Sequence, residues 1–490
     1  MFDPNPIFTY YISDIEMDFP GKEYRFDHLH VYVDQRTPVE LSSRGTFSVM
    51  LIGIAVDVQT GRSNGIAEML AESCASLDDV IRAEYTLGGK YILLISSHEG
   101  LYLIGDATCS IQVCYEIDRE QKVCAIASDP YIIARKHDLT PDKDLLRVRR
   151  SGELFQPMPY NVTIFREILQ LLPNHTLNLL TGETERYLYY SSALPRLSAG
   201  DAAKQILPYL DSMVKGYAKH FPLLVPITAG KDSRVVLAAV CRQLPGVKTY
   251  TMKHKKHRDD DEELVISKQL TARMKLPHSI YPDVELSEEQ IQYFDQIIGK
   301  DLYSRISLTI SATVHRYCSE YAVLNGDILD QIGKISPHRD IPECLATAGY
   351  FRCKLHNYSK EAKTLTKAWL REVKSSGEHL LSFDLFSIEN RMGRWASQNH
   401  ALDSYLGQVN LNIFNARRII GILCCVDRKE RMRFEIHKAL LEQIDPDWLT
   451  VPFGKSRRAA RLAKSNFAVF YCSGYLKYYL EKFRFRYRSR

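Results

Sequence analysis

One stretch, residues 223–243 (LLVPITAGKDSRVVLAAVCRQ), limits the fold more than any other. The apolar run 223–227 reads as a buried strand. Thr228, Ala229, Gly230, Lys231, Asp232 and Ser233 form a small-residue turn, and a helical apolar pattern follows from Arg234. In a strand–turn–helix unit, backbone N–H groups and the positive end of the helix dipole converge on one point, which makes an anion nest. Thr228 and Ser233 add hydroxyls, Lys231 a positive charge, and Asp232 a ligand for magnesium. The glycine spacing is not that of a GxxxxGK[ST] P-loop. Phosphate with a metal suits this turn, and so does the plainer role of an ordinary strand-to-helix connection.

The chain has 490 residues, enough for two or three domains, with 45% apolar and 25% charged residues and a net charge of +5 that names no partner. The first 21 residues mix Asp, Pro and aromatics and form no signal peptide. No apolar run approaches the ~20 residues of a membrane span. Eleven scattered cysteines without a Cys-x-x-Cys pair fit a reduced, cytoplasmic protein.

Residues 1–190 read mainly as β, with strands over 47–58, 90–96, 101–106, 112–117 and 123–128. Gly88-Gly89 and His98-Glu99-Gly100 read as turns, and 65–75 and 77–86 have helical spacing. A Pro/Ser/Gly stretch at 191–200 suits a linker. From 201 onward strands and helices alternate: helix 202–220, strand 223–227, helix 234–244, strand 247–252, helix 260–275, strand 278–281, helices 288–298 and 306–321, strand 322–325. Alternation implies a parallel, doubly wound sheet whose ligands lie beyond the carboxyl ends of the strands. The turns at 228–233 and 325–330 both follow strands and can face one crevice. From 358 onward the pattern is mostly helical.

The turn at 228–233 resembles the SGGxDS pyrophosphate loop of the asparagine synthetase-like ATP pyrophosphatases, with Thr for Ser and Ala for the first Gly. Asn325-Gly326-Asp327-Ile328-Leu329-Asp330 resembles the family's Gly-Asp-Gly-x-Asp-Glu loop at Gly326, Asp327 and Asp330. Magnesium takes one or two carboxylates plus phosphate oxygens, and Asp232 with Asp327 would supply the pair; the alternative is that Asp327 only caps a helix. The resemblance further implies an acidic residue and an arginine over an acyl-adenylate, for which Glu389 and Arg391 are the candidates, with Arg394 one turn on. It also implies a catalytic lysine on a C-terminal loop, matched by Lys455 in Val451-Pro452-Phe453-Gly454-Lys455-Ser456. Glu389 and Arg391 read equally as solvated helix charges, and Lys455 as one basic residue among several. Asp261 and Glu263 are minor candidates near the nucleotide.

Gly88-Gly89-Lys90-Tyr91-Ile92-Leu93, Tyr102-Leu103-Ile104-Gly105-Asp106, Ala127-Ser128-Asp129 and Leu172-Pro173-Asn174-His175-Thr176-Leu177 extend the resemblance to the four-layer glutaminase domain of these enzymes. The implied architecture is α/β: a glutaminase-like αββα sandwich over 1–190, then a doubly wound ATP pyrophosphatase domain over 201–490 with a helical C-terminal part. Class II glutaminases use an N-terminal cysteine, whereas here Phe2 follows Met1 and the first cysteine is Cys74. The expectation is an inactive glutaminase domain, similar to that of β-lactam synthetases, lasso-peptide cyclases and asparagine synthase-like proteins of polysaccharide clusters.

The expected activity is therefore ATP- and Mg²⁺-dependent amide formation from a carboxylate, small or sugar-linked, and an amine drawn from solution, a second substrate or a separate subunit. Two other classes stay open: an inactive nucleotide-binding scaffold, and an RNA- or nucleobase-modifying ATP pyrophosphatase suggested by the basic run 253–258. No nucleic acid is expected on the first reading. The aromatic and basic tail 467–490 is read as a helix packed on its own domain or on a membrane surface, and a homo-oligomer is compatible with the chain.

Overall fold

A computed structural model describes residues 5–118, 120, 122–151, 158–187, 195–334, 343–355, 357, 359–376, 380–454 and 476. It is a mixed α/β protein with two antiparallel sheets and one parallel sheet.

The antiparallel sheets arise from residues 10–186 and have six strands each. The long apolar strands Phe47–Asp57 and Leu87–Ser97 pair along most of their length and form the centre of one sheet. Tyr10–Ser13, Leu29–Val33 and Val123–Ala127 form the centre of the other. Alternation along each strand sends one set of side chains inward and the other outward. Ile12, Val31 and Ile126 of one sheet share a core with Ile52, Ile92 and Leu94 of the other. The outward residues Val49, Leu51 and Leu93 pack under the helices Ile66–Ser73 and Leu77–Glu84. Tyr11, Cys114 and Ala127 pack under Pro130–Lys136 and Lys143–Ser151.

Seven strands were not anticipated: Tyr10–Ser13, Lys22–Phe26, Leu29–Val33, Val39–Arg44, Ile168–Gln170, His175–Asn178 and Thr184–Arg186. Gly88 and Gly89 are no turn but lie inside Leu87–Ser97. They are glycines because other backbone comes close: a Cβ on Gly88 would meet the Asn415 carbonyl oxygen at 2.9 Å, and one on Gly89 the Ile54 carbonyl oxygen at 2.1 Å. Asn415 Nδ2 donates to the Gly89 carbonyl (2.6 Å) and to Asp106 Oδ1 (2.9 Å), joining this sheet to the C-terminal half.

Helix Ala199–His220 links the two halves. Ser198 caps it, its Oγ accepting from Asp201 N, a bond worth about 1 kcal/mol. Its stripe Ala202, Ile206, Leu210, Met213 and Tyr217 is fully buried. Gly216 brings it onto the antiparallel core, since a Cβ there would lie 2.5 Å from Val56.

The parallel sheet has five strands in the spatial order His278–Pro282, Lys248–Lys253, Leu223–Pro226, Ala322–Leu324, Val409–Leu411. Counted along the chain this is 3-2-1-4-5, so the order reverses between Leu223–Pro226 and Ala322–Leu324. The fifth strand, Val409–Leu411, falls in the part expected to be helical. Apolar contacts cover both faces: Val235, Val236 and Leu440 on one, Cys318 on the other. Among the described residues no helix is long and apolar enough to cross a membrane.

Candidate functional site

The two loops that leave the reversal point touch. Gly326 follows Ala322–Leu324 and lies so close to Asp232 that a Cβ on it would come within 3.2 Å of the Asp232 carbonyl carbon. The sequence thus brings 228–233 and 325–327 together, as strand order and parallel pairing require.

In the first loop, Thr228 N donates to Ser233 Oγ (3.2 Å), the two hydroxyls are 2.9 Å apart, and Gly230 N donates to Thr228 Oγ1 (3.1 Å). The turn is tight and half-exposed, and no side chain among the described residues caps the ten-residue helix Asp232–Cys241 that it opens. Lys231 does not reach into open solvent. Its ammonium lies over the rings of Phe434 (4.4 Å) and Phe453 (4.9 Å), and burial lowers its pKa. Ala229 offers its carbonyl to Gly454 N at 3.0 Å.

Arg234, the next residue but one after Asp232, fixes this arrangement. Its fully buried guanidinium donates to the carbonyls of Trp448 (3.0 Å), Val451 (2.6 Å) and Pro452 (3.1 Å) and stacks on Phe453. The C-terminal segment 446–454 is thereby clasped over the first loop. Lys455 lies outside the described residues, as does the tail expected to be helical apart from Leu476.

Asp232 is already engaged. His437 Nε2 lies 2.8 Å from Oδ1 and Lys334 Nζ 3.3 Å from Oδ2. Burial raises its pKa, but His437 and Lys334 outweigh burial and hold it below the ordinary carboxylate value. Lys334 also pairs with Asp330. Neither His437 nor Lys334 was singled out from the sequence. His437 sits on the apolar stripe of helix Glu435–Ile444, where it reads as core; among the described residues its Nδ1 has no hydrogen-bond partner.

Asp327 differs. Burial, then Asp330, raises its pKa to about 6; Arg391 opposes the rise and Asp232 adds to it. A half-buried carboxylate with other carboxylates beside it is a fitting ligand for a hard cation, and Asp232 is the second oxygen donor at the same place. Its loop is held by amides. Asn325 Oδ1 accepts from Asp327 N (3.3 Å) and Asn412 Nδ2 (2.7 Å), while Asn325 Nδ2 donates to Asn410 Oδ1 (2.6 Å) and Asn410 Nδ2 to Asp403 Oδ2 (3.0 Å).

Arg391 faces this site electrostatically through Asp327 and stacks on Trp395 at 4.0 Å. Glu389, in contrast, is turned away from the expected adenylate. It is wholly buried, paired with Arg186, and accepts from Trp369 Nε1 (2.6 Å) and Asn174 Nδ2 (3.4 Å). Every strong donor around it is structural, so it joins the antiparallel half to helix Lys360–Ser375. Arg394 is likewise consumed, bonding the carbonyls of Met158 (3.2 Å) and Val162 (2.7 Å) and the side chain of Gln170. These residues lie in the π-helical stretch Ser387–Ala396. Asp261 caps its own helix, accepting from Glu263 N at 3.1 Å. Four residues of the basic run face carboxylates: Lys253 pairs with Asp259, His254 with Asp283, Lys255 with Glu285 and Arg258 with Asp260.

No protein-family model matches the chain, and no curated protein matches it.

Proposed function

We propose that the chain is an ATP-dependent amide-forming ligase: a substrate carboxylate is adenylated, pyrophosphate leaves toward the loop 228–233, and an amine displaces AMP. The observation that carries this reading is the meeting of the loops at Asp232 and Gly326 beside Asp327, at the reversal point of the parallel sheet. The tight turn and uncapped helix end suit pyrophosphate. Asp232 and Asp327 would hold Mg²⁺, which supplies charge neutralisation at the phosphates. Arg391 adds positive charge beside Asp327. Glu389 has no part in the chemistry on this reading; it positions the helix that carries Arg391. On this reading the two antiparallel sheets are assigned to a glutaminase-like domain.

One observation favours a second reading, a nucleotide-binding scaffold. Lys334 and His437 together engage both oxygens of Asp232 and put a protein cation where a metal would sit. ATP–pyrophosphate exchange against a panel of carboxylic acids separates the two, with Asp232→Ala as the control. Exchange that needs one acid and vanishes in Asp232→Ala supports the ligase. ATP binding without exchange for any acid supports the scaffold. The carboxylates facing Lys253, His254, Lys255 and Arg258 weaken the case for the RNA-modifying reading.

A further inference from the structure

A cluster far from the nucleotide loops has the composition of a metal site. Glu116, on strand Cys114–Ile117, and Cys124, on strand Val123–Ala127, come together with His137, which ends helix Pro130–Lys136. A carboxylate oxygen, the thiol sulfur and an imidazole nitrogen lie within 4.8 Å of one another. The edges of a tetrahedral zinc site, from Zn–S and Zn–N lengths, are about 3.5 Å, so the ion would enter by parting the direct Glu116–His137 contact while the thiol closes in by about 1 Å.

The backbone aims Cys124 at this point. The ladder steps from Glu116–Ala125 to Ile117–Val123, which leaves Cys124 as the extra residue of a β-bulge. A regular strand would put neighbouring side chains on opposite faces; a bulge re-aims one of them. Here Cys124 Sγ lies 3.7 Å from the Glu116 carbonyl oxygen, on the side where Glu116 contacts His137 Nδ1. The other ring nitrogen, Nε2, is 3.0 Å from the hydroxyl of Tyr11. That is the outer partner that orients a metal-binding histidine and fixes its tautomer. Tyr11 is itself held, stacked on Phe19 at 5.7 Å. The Glu116 and His137 side chains are 13% and 27% exposed, so an ion and a water can reach the site.

We propose that Glu116, Cys124 and His137 bind a zinc ion, with water as the fourth ligand. The ion ties the outer face of one antiparallel sheet to the helix above it. Thiolate, imidazole and carboxylate together select zinc over magnesium or calcium. On binding, the Cys124 S–H bond breaks, its proton goes to solvent, and the S–Zn bond replaces it; no redox change occurs. The site is independent of the ligase reading.

The test is titration of the full chain, stripped of metal, with Co²⁺ as a spectroscopic probe, followed by Zn²⁺. The expected result is one equivalent of Co²⁺ with a thiolate-to-cobalt absorption band that Zn²⁺ removes. Cys124→Ser and His137→Gln should each weaken binding about 10- to 100-fold while their near-ultraviolet circular dichroism stays unchanged. A saturating excess of Zn²⁺ should raise the melting temperature by about 2–3 °C in the wild type only. If Cys124→Ser fails to fold, His137→Gln decides alone. Absence of the band, or a band of equal strength in the folded variants, overturns the assignment, because ten other cysteines would then account for it.

Discussion

Asp327→Asn should make the protein more stable at neutral pH. Burial is the main cause that lifts this carboxyl from the ordinary 3.8 to about 6. At about 1.4 kcal/mol per pH unit, ionising it inside the folded chain costs about 3 kcal/mol. The sign follows from linkage. Between about pH 4 and pH 6 the folded chain retains a proton that the unfolded chain has released, so stability falls as pH rises through this window. Above about pH 6 the penalty is complete. An amide of the same shape carries no such penalty. Because the side chain is only partly shielded from water, a gain of about 1–3 kcal/mol near pH 8 is expected, shrinking to nothing below about pH 4. Urea unfolding across that range would show a higher midpoint with an unchanged slope. Magnesium should stabilise the wild type above pH 6 and leave the Asn variant unmoved. An equal effect of the substitution at pH 4.5 and pH 8 would refute the reasoning, since a hydrogen-bonding role does not titrate.

Glu389→Gln should lower stability by about 1–3 kcal/mol, because buried Arg186 then keeps only the part-exposed Glu372 as a charged partner; exchange activity per folded molecule, measured after a thermal melt fixes the folded fraction, should not change. Arg234→Met should cost about 2–4 kcal/mol by stranding the carbonyls of Trp448, Val451 and Pro452. Limited proteolysis should then cut within 446–454 sooner than in the wild type. Gly326→Ala places a Cβ against Asp232 and should move the two loops apart by a few tenths of an ångström. Nucleotide affinity by calorimetry should fall while the melting temperature holds, and unaltered affinity would remove Gly326 from the site.

The site's two loops were legible in the sequence because each is a local strand–turn–helix signal, and their meeting follows from strand order. The long strands at 47–57 and 87–97 were equally plain, since apolar runs of that length have few other uses. Val409–Leu411 was not, because three residues set no period and its strand character comes from pairing with Ala322–Leu324. Gly88-Gly89 misled for a physical reason: glycine serves both a turn and a close approach of backbones, and only the position of 415–416 distinguishes them. Glu389 was read as a helix charge near the chemistry. Its partner Arg186 lies 203 positions away, and no local pattern announces it. His437 was hidden in the opposite way, because on an apolar stripe a ligand histidine and a core histidine look alike.

The clasp between Arg234 and the carbonyls of Trp448, Val451 and Pro452 has a consequence in time. A ribosome finishes the strand, turn and helix around Asp232 long before it reaches Trp448. During that interval the nascent chain has the loop 228–233 with one wall missing and a guanidinium without the carbonyls it will hold. The wall that 446–454 adds to the loop at Asp232 therefore forms only after a further stretch of more than 200 residues has been made.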